Sequence, residues 1–261
     1  MSALHPAYAE DAPGSTPPPP GVAALRTVAG LWFLVTLLGQ WVFLYRIVGQ
    51  YGMATVSGRF ADWERHNLLY RGYVAGDTLG NLAFASHVTL AAVVTFGGLL
   101  QLVPQIRARA IAVHRWNGRA FLVAAAVASV VGLYMVWVRG ATGGPINSYG
   151  VSLNAVLNLV FVPMTWLAAR RGEIERHRRW ALRTFMVASG VFFKRLGFGL
   201  PDGFFEFASY LIPLALLELY LRASASRSGN ARLAVAILLL AAVVYVCIGT
   251  ARFAMWVQRH T

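Results

Sequence analysis

Seven stretches of about 20 consecutive, mostly apolar residues run through this chain of 261 residues. A helix that crosses the hydrocarbon core of a bilayer needs roughly 20 such residues, since each residue adds about 1.5 Å along the helix axis. We therefore predict an all-α fold, a polytopic membrane helix bundle of about seven transmembrane helices that occupies residues 23–261. The stretches are 27–48, 82–104, 118–138, 149–169, 180–199, 204–222 and 231–252.

The small share of charged side chains excludes a soluble globular protein. Charged residues make up 13% of the chain and hydrophobic residues 57%, whereas soluble domains average roughly 25% charged residues. The formal net charge of +13 does not indicate a nucleic-acid-binding protein, because the basic residues lie in short clusters between the apolar stretches. We expect membrane lipids as partners and no nucleic acid.

The positions of the basic residues predict how the chain is oriented. With the amino terminus in the cytoplasm, the inward connections carry thirteen basic residues and the short outward connections carry three. This pattern is typical of a multi-pass inner-membrane protein whose amino terminus lies in the cytoplasm. Two regions are predicted to lie outside the spans. Residues 1–22 form a proline-rich, disordered tail, and residues 49–80 form an outward, partly interfacial segment.

A weak internal repeat links the third and fifth stretches. The first copy reads HRWNGRAF from His114, and the second reads HRRWALRTF from His177. In both copies a tryptophan follows His-Arg, an arginine comes three residues later, and a phenylalanine comes two residues beyond that. Each copy follows an apolar helix and a short basic connection. The second to fifth helices are therefore predicted to form a four-helix core of two repeated hairpins.

The two histidines that open the repeat are candidates for a cofactor site. In the predicted topology His114 and His177 lie at similar depth, where two neutral imidazoles would supply both axial ligands of a haem b iron. Nearby arginines would pair with the haem propionates, or the histidines would instead be interfacial residues bound to lipid phosphate. The cofactor-binding candidates are His87, His114, Arg115, Arg119, His177 and Arg183, of which His87 lies near the opposite membrane face.

A second set of polar residues is predicted to form a pocket near the outer face. Ionisable groups inside a membrane are candidates for function, although structural salt bridges remain the alternative for each of them. Asn154 and Asn158 lie one turn apart on the fourth helix, and Glu218 is expected to pair with Arg222 at i, i+4 on the sixth. The candidates for a catalytic or substrate-binding role in this pocket are Asn154, Lys194, Arg195, Asp202 and Glu206.

Three motifs in the middle of the chain resemble a known family. They are Leu99-Leu100-Gln101 followed by Pro104, then His114-Arg115-x-x-Gly118-Arg119, then His177-x-x-Trp180-x-x-Arg183. Their spacing resembles a family of bacterial predicted membrane proteins known as domain of unknown function 2306, over residues 80–222. The resemblance implies a polytopic bacterial membrane protein, and it implies no established activity or cofactor.

These residues leave three classes of function open. The leading hypothesis is haem-based electron transfer, to or from quinone or another lipophilic small molecule, with His114 and His177 as the iron ligands. The alternative is a non-redox transporter, or an enzyme acting on a lipid-like substrate, that uses the outer pocket. A structural or assembly subunit is the third class.

Overall fold

The computed structural model describes residues 20–64, 71–140, 143–197 and 202–260, with the side chains of 64, 202 and 260 excepted. Most of the predicted tail, residues 1–22, therefore lies outside the described residues. Within these ranges there are ten α-helices: α1 (Val22–Ile47), α2 (Met53–Val56), α3 (Thr78–Leu102), α4 (Pro104–Arg109), α5 (Ile111–Trp137), α6 (Gly144–Arg170), α7 (Ile174–Ala188), α8 (Gly190–Leu196), α9 (Asp202–Ala225) and α10 (Gly229–His260). A π-helical turn, Val48–Gly52, joins α1 to α2, and Phe60–Glu64 form a short 3-10 helix.

Six continuous helical segments of the described chain are long and apolar enough to cross a membrane. They confirm the polytopic, all-α membrane bundle and six of the seven predicted spans. The fifth predicted span, 180–199, differs because the chain there forms α7 and α8, which are separated at Ser189. The six segments are Val22–Val56, Thr78–Leu102, Ile111–Trp137, Gly144–Arg170, Gly203–Ala225 and Gly229–Arg259.

The broken pair α7 and α8 still extends along the full length of α6, in the opposite direction. Near the end of α6, the Thr165 carbonyl lies 3.0 Å from His177 Nδ1 at the start of α7. Near the beginning of α6, the Asn147 side chain lies 3.5 Å from Lys194 Nζ on α8. The broken helix therefore traverses the bundle, and the described chain passes through it seven times.

The two ends of the bundle differ in charge, so we name them by it. The basic end holds the arginine-rich connections 103–110, 171–173 and 226–228, and the far end holds 71–77 and 138–140. Helices α1, α5, α7, α8 and α10 run from the basic end to the far end, and α3, α6 and α9 run back. At the basic end α1 and α10 begin side by side, since a Cβ at Gly21 would lie 2.9 Å from the Gly229 carbonyl oxygen.

The hairpins α3–α5 and α6–α7 meet at a glycine. A Cβ at Gly98 of α3 would lie 3.2 Å from the ring of Phe121 and 3.0 Å from the ring of Phe185. These two phenylalanines end the two copies of the sequence repeat. The four helices therefore pack as one core, with the repeat copies at the same level.

The repeat also has the same local geometry in both copies. The Arg119 guanidinium lies 4.7 Å from the centre of the Trp116 ring, and the Arg183 guanidinium lies 4.8 Å from that of Trp180. Residues three apart on a helix are neighbours, so the arginine stacks on the tryptophan of its own helix.

The far end is tied together by one arginine. Arg139 follows α5 and donates from Nε to the Asp77 carboxylate at 2.8 Å, while its other nitrogens donate to the Asn81 side chain and to the carbonyls of Arg71 and Gly72. Asp77 also caps α3 by accepting the Gly80 N–H. The hydrogen bonds from Arg139 and from this N–H hold the pKa of the Asp77 carboxyl below its usual value.

Candidate functional site in a polar cavity of the core

The buried face of α6 is polar, although the helix as a whole is apolar. Asn147, Gly150, Asn154, Asn158 and Thr165 follow one another at spacings of three, four, four and seven residues, which places them on one helix face. Asn147, Asn158 and Thr165 are at most 4% exposed. Polar side chains of a membrane helix turn toward the protein interior, so this stripe follows a polar path through the core.

At the far end of this stripe, Lys194 and Glu206 form a buried ion pair. Lys194, the only lysine of the chain, belongs to the last turn of α8, and Glu206 lies one turn into α9. Their side chains are 22% and 6% exposed. In the amide orientation that its neighbours favour, Asn147 Nδ2 donates to both Glu206 carboxylate oxygens, at 2.7 and 2.8 Å. The carboxylate is thus both paired and hydrogen-bonded, as burial requires.

A glycine lets α6 and α9 approach each other at the ion pair. A Cβ at Gly150 would lie 2.6 Å from the Cβ of Glu206, a distance that real Cβ atoms do not reach. One turn further along α9, the hydroxyl of the buried Tyr210 donates to the Gly150 carbonyl at 3.0 Å. A side chain at position 150 would therefore push the two helices apart.

A cavity of about 160 Å³ lies beside the ion pair, among α3, α5, α6, α8 and α9. A water molecule occupies about 30 Å³ in the liquid, so this space would hold several waters or one small solute. Hydrogen-bonding groups come from every one of these helices. The polar lining residues are His87, Thr95, Ser129, Asn154, Asn158, Lys194, Glu206, Ser209 and Tyr210.

The hydrogen bonds of the lining leave one buried acceptor unused. Asn154 Nδ2 donates to the Val187 carbonyl at 2.9 Å, and Asn158 Nδ2 donates to Asn154 Oδ1 at 3.1 Å. His87 Nδ1 lies 3.0 Å from the Ala128 carbonyl. Asn158 Oδ1 is buried and has no hydrogen-bond partner among the described residues. Because leaving a buried acceptor unpaired costs about 1–3 kcal/mol, this atom indicates a place for a hydrogen-bond donor in the cavity.

The break between α7 and α8 forms part of the cavity wall. Ala188, Gly190 and Val191, on either side of Ser189, line the cavity. Gln40 of α1 is 2% exposed and donates to Ser189 Oγ at 2.9 Å, so a hydrogen bond from α1 stabilises the break. Interrupted helices at membrane depth are tolerated where they line a cavity, and in transporters they commonly border the substrate site.

A second ion pair lies nearer the basic end of the bundle. Arg183 of α7 donates to the two carboxylate oxygens of Glu218 on α9, at 2.6 and 3.0 Å. The predicted Glu218–Arg222 pair is therefore wrong. The planar guanidinium of Arg183 matches both oxygens from the neighbouring helix, which an exposed residue on the same helix cannot do as well. Arg183, a candidate partner of haem propionates, already holds this carboxylate.

His114 and His177 lie at similar depth, as the repeat predicts. Gly98 contacts both Phe121 and Phe185, which places these two rings at one level. His114 precedes Phe121 by seven residues and His177 precedes Phe185 by eight, so they lie about 10 and 12 Å nearer the basic end.

The surroundings of the two histidines differ. His177 Nδ1 lies 3.0 Å from the Thr165 carbonyl, to which it donates in one tautomer. His114 Nδ1 is buried and has no hydrogen-bond partner among the described residues. Arg115 and Arg119, the neighbouring candidates for propionate binding, are exposed.

The predicted outer pocket is only partly assembled. The structure brings Asn154, Lys194 and Glu206 together around the cavity, whereas Arg195 does not line it and lies near Tyr51 and Arg46. Consecutive residues of a helix point about 100° apart, so Lys194 and Arg195 face different neighbours. The side chain of Asp202 lies outside the described residues. His87 lines the same cavity. It contacts the Ala128 carbonyl, which lies 14 residues or about 21 Å along α5 from His114, so His87 is far from the two repeat histidines.

Sequence reasoning missed three residues of this site. Asn147 precedes Asn154 and Asn158 by seven and eleven residues on the same helix face, so its place in the stripe was open to prediction. Gly150 and Tyr210 gave no such signal, because their roles depend on contacts between α6 and α9.

Comparison with known proteins finds one family. Residues 84–212 match the family model described as "Predicted membrane protein (DUF2306)". No curated protein and no solved structure matches the chain. The matched segment extends from α3 into α9, and it contains most of the four-helix core, the Lys194–Glu206 pair and the cavity, but neither Glu218 nor α1 nor α10. Over this core, the chain is similar to the DUF2306 family of predicted membrane proteins.

Proposed function

We propose that this protein is a transporter that carries a small polar solute across the membrane through the cavity of its core. Asn154, Asn158, Lys194 and Glu206 would contact the solute. The observation that carries this proposal is the break at Ser189, which borders a polar cavity at membrane depth.

The two ion pairs supply a mechanism for passage. Lys194–Glu206 and Arg183–Glu218 both join the broken helix α7–α8 to α9, on either side of the break. Glu206 and Glu218 are 12 residues apart, or about 18 Å along α9. A change of backbone angles at Ser189 would move α8 relative to α7. One ion pair would then open while the other stays closed, so that the cavity faces one side of the membrane at a time.

The chemistry of the lining favours an uncharged or zwitterionic solute that donates hydrogen bonds. Lys194 and Glu206 neutralise each other, so the cavity presents no net charge from them to a solute. Asn158 Oδ1 offers an acceptor without a partner among the described residues. The volume of about 160 Å³ limits the solute to a few non-hydrogen atoms unless the cavity widens.

The expected setting is the inner membrane of a bacterium. The arginine-rich connections of the basic end favour the cytoplasmic side, which would place the Lys194–Glu206 pair toward the outside.

Access of water to the cavity tests the proposal. The single cysteine, Cys247, is replaced by alanine, and Asn158→Cys is introduced in that background. A membrane-impermeant cationic methanethiosulfonate is then added to the outside or the inside of sealed vesicles. Val156→Cys is the matched control, since Val156 lies on α6 two residues away and is 49% exposed on the outer surface of the bundle, toward lipid.

We expect the cysteine at position 158 to react from at least one side, at least tenfold faster than the cysteine at position 156. During a transport cycle the cavity must contact water from each side of the membrane in turn. Reagent added to one side should therefore still label position 158 when access from the other side is blocked. If position 158 reacts no faster than position 156 from either side, the cavity is sealed and the transporter proposal is overturned.

Haem-based electron transfer is a second candidate function, and the matched depth of His114 and His177 favours it. A contact between Nδ1 and a backbone carbonyl, as His177 has, commonly orients an imidazole that binds metal through its other nitrogen. A bound haem would supply one-electron redox chemistry. The test is the visible spectrum of the protein purified after haem-supplemented expression. A Soret band lost in His114→Ala and in His177→Ala supports this candidate, and a colourless protein refutes it.

A further inference from the structure

Three helices that run in the same direction bring their phenylalanines together near the far end. The ring of Phe43 on α1 lies 6.2 Å from that of Phe192 on α8 and 6.3 Å from that of Phe253 on α10, measured between ring centres. All three rings are buried, at 5% exposure or less. They form an apolar floor, and residues that follow them on these helices lie above the floor, nearer the far end of the bundle.

Three residues beyond each phenylalanine, the same helices place two arginines and a tryptophan. These residues are Arg46, Arg195 and Trp256. Because the helices are parallel and the spacing is equal, all three lie about 4.5 Å above the floor, at one level. The Arg46 guanidinium lies 4.8 Å from the centre of the Trp256 ring, and Arg46 is 7% exposed. Arg46 and Arg195 are near enough for their charges to repel.

No described carboxylate neutralises this pair of arginines. The six carboxylates whose side chains are described each pair with a basic residue elsewhere: Asp62 with Arg59, Asp77 with Arg139, Glu173 with Arg176, Glu175 with Arg178, Glu206 with Lys194 and Glu218 with Arg183. Two like charges held close together in a low-dielectric region raise the free energy of the folded state. An anion between them would remove that cost.

We propose that Arg46 and Arg195 bind a phosphate group at the far end of the bundle, between α1, α8 and α10. Guanidinium groups present two parallel N–H donors that match phosphate oxygens, which a lysine does not do. The phosphate is either the headgroup of an anionic phospholipid or a free phosphate, since both offer the same oxygens. This site is separate from the cavity of the core, and α1 and α10 lie outside the family-matched segment.

Thermal unfolding in detergent tests the site with two probes, inorganic phosphate and dioleoylphosphatidylglycerol in mixed micelles. A neutral diacylglycerol controls for the acyl chains. The variants are Arg46→Gln and Arg195→Gln, with Arg59→Gln as the matched control, because Arg59 carries the same charge near the far end and its side chain is 64% exposed. A ligand that binds only the folded state raises Tm with its concentration, which gives an apparent Kd.

We expect at least one probe to raise Tm of the unaltered protein. Arg46→Gln and Arg195→Gln should each weaken the apparent affinity for that probe tenfold or more. Arg59→Gln should leave this affinity unchanged. A rise with phosphatidylglycerol alone identifies a lipid headgroup, and a rise with both probes identifies a site open to free phosphate. Without a probe, Arg46→Gln should melt no lower than the unaltered protein, since it removes one of two repelling charges. A lower Tm there would indicate a purely structural arginine. That result, or failure of both probes to stabilise the unaltered protein, or wild-type affinity in both variants, would overturn the proposal.

Discussion

Loss of one member of the Lys194–Glu206 ion pair should destabilise the protein much more than loss of both. Lys194→Met leaves the Glu206 carboxylate, 6% exposed, with the Asn147 amide but without its cation. Breaking a buried ion pair in this way costs about 3–5 kcal/mol. Glu206→Gln leaves Lys194, which is 22% exposed and keeps some contact with solvent, so we expect a smaller loss of about 1–3 kcal/mol.

The double variant Lys194→Met, Glu206→Gln buries no charge, so its stability should lie within about 1–2 kcal/mol of the unaltered protein. The corresponding coupling energy is at least about 2 kcal/mol. The free energy of unfolding is measured by reversible titration with sodium dodecyl sulfate in mixed micelles, followed by tryptophan fluorescence. The matched control is the exposed pair Glu173–Arg176, whose side chains are 36% and 56% exposed and whose coupling should not exceed about 0.5 kcal/mol.

Additive effects of the two substitutions at 194 and 206, within about 0.5 kcal/mol, would refute the reasoning. Such a result would mean that both groups reach water in the folded protein. The pair would then not close the cavity at the far end.

Three further outcomes follow from the geometry. Gly150→Ala places a Cβ 2.6 Å from that of Glu206 and should cost about 1–3 kcal/mol in the same titration; an unchanged free energy of unfolding would show that α6 and α9 are not in close contact there. Arg183→Gln should lower the free energy of unfolding by about 1–2 kcal/mol and Arg222→Gln by less than about 0.5 kcal/mol. A larger loss for Arg222→Gln than for Arg183→Gln would indicate that Glu218 pairs with Arg222 within α9. Asp77→Asn should lower Tm at pH 7. Because the folded protein depresses the pKa of Asp77, this carboxylate stabilises the fold above the unfolded pKa of about 3.9, and the effect is lost as pH falls through the lower, folded pKa. A difference in Tm that persists unchanged at low pH would contradict this.

The apolar stretches predicted the membrane fold because insertion of a helix depends mainly on its own length and hydrophobicity. Six predicted spans are continuous helices, and in place of the fifth the chain forms two shorter helices, α7 and α8. No strong local signal marks the break at Ser189, since a serine followed by Gly190 is common inside membrane helices. What holds the break is a hydrogen bond from Gln40, 149 residues away in the sequence.

The candidate site was predictable where polarity alone identifies a residue. Asn154, Lys194 and Glu206 stand out in an apolar chain, and all three line the cavity. Arg195 and Glu218 were assigned to the wrong neighbours, because a polar residue in a membrane helix finds its partner on another helix, and the rotation of that helix does not follow from sequence spacing.

The sequence alone determined the solvent in which this protein folds, the approximate number of passes through it, and the few residues costly enough in lipid to need a partner. These properties follow from the transfer of single side chains between water and hydrocarbon. The tertiary structure decided which charges pair, where the fifth span breaks, and that polar side chains from five helices line one cavity. Those outcomes depend on how closely helices pack, as at Gly150, where the absence of one Cβ brings Glu206 to α6.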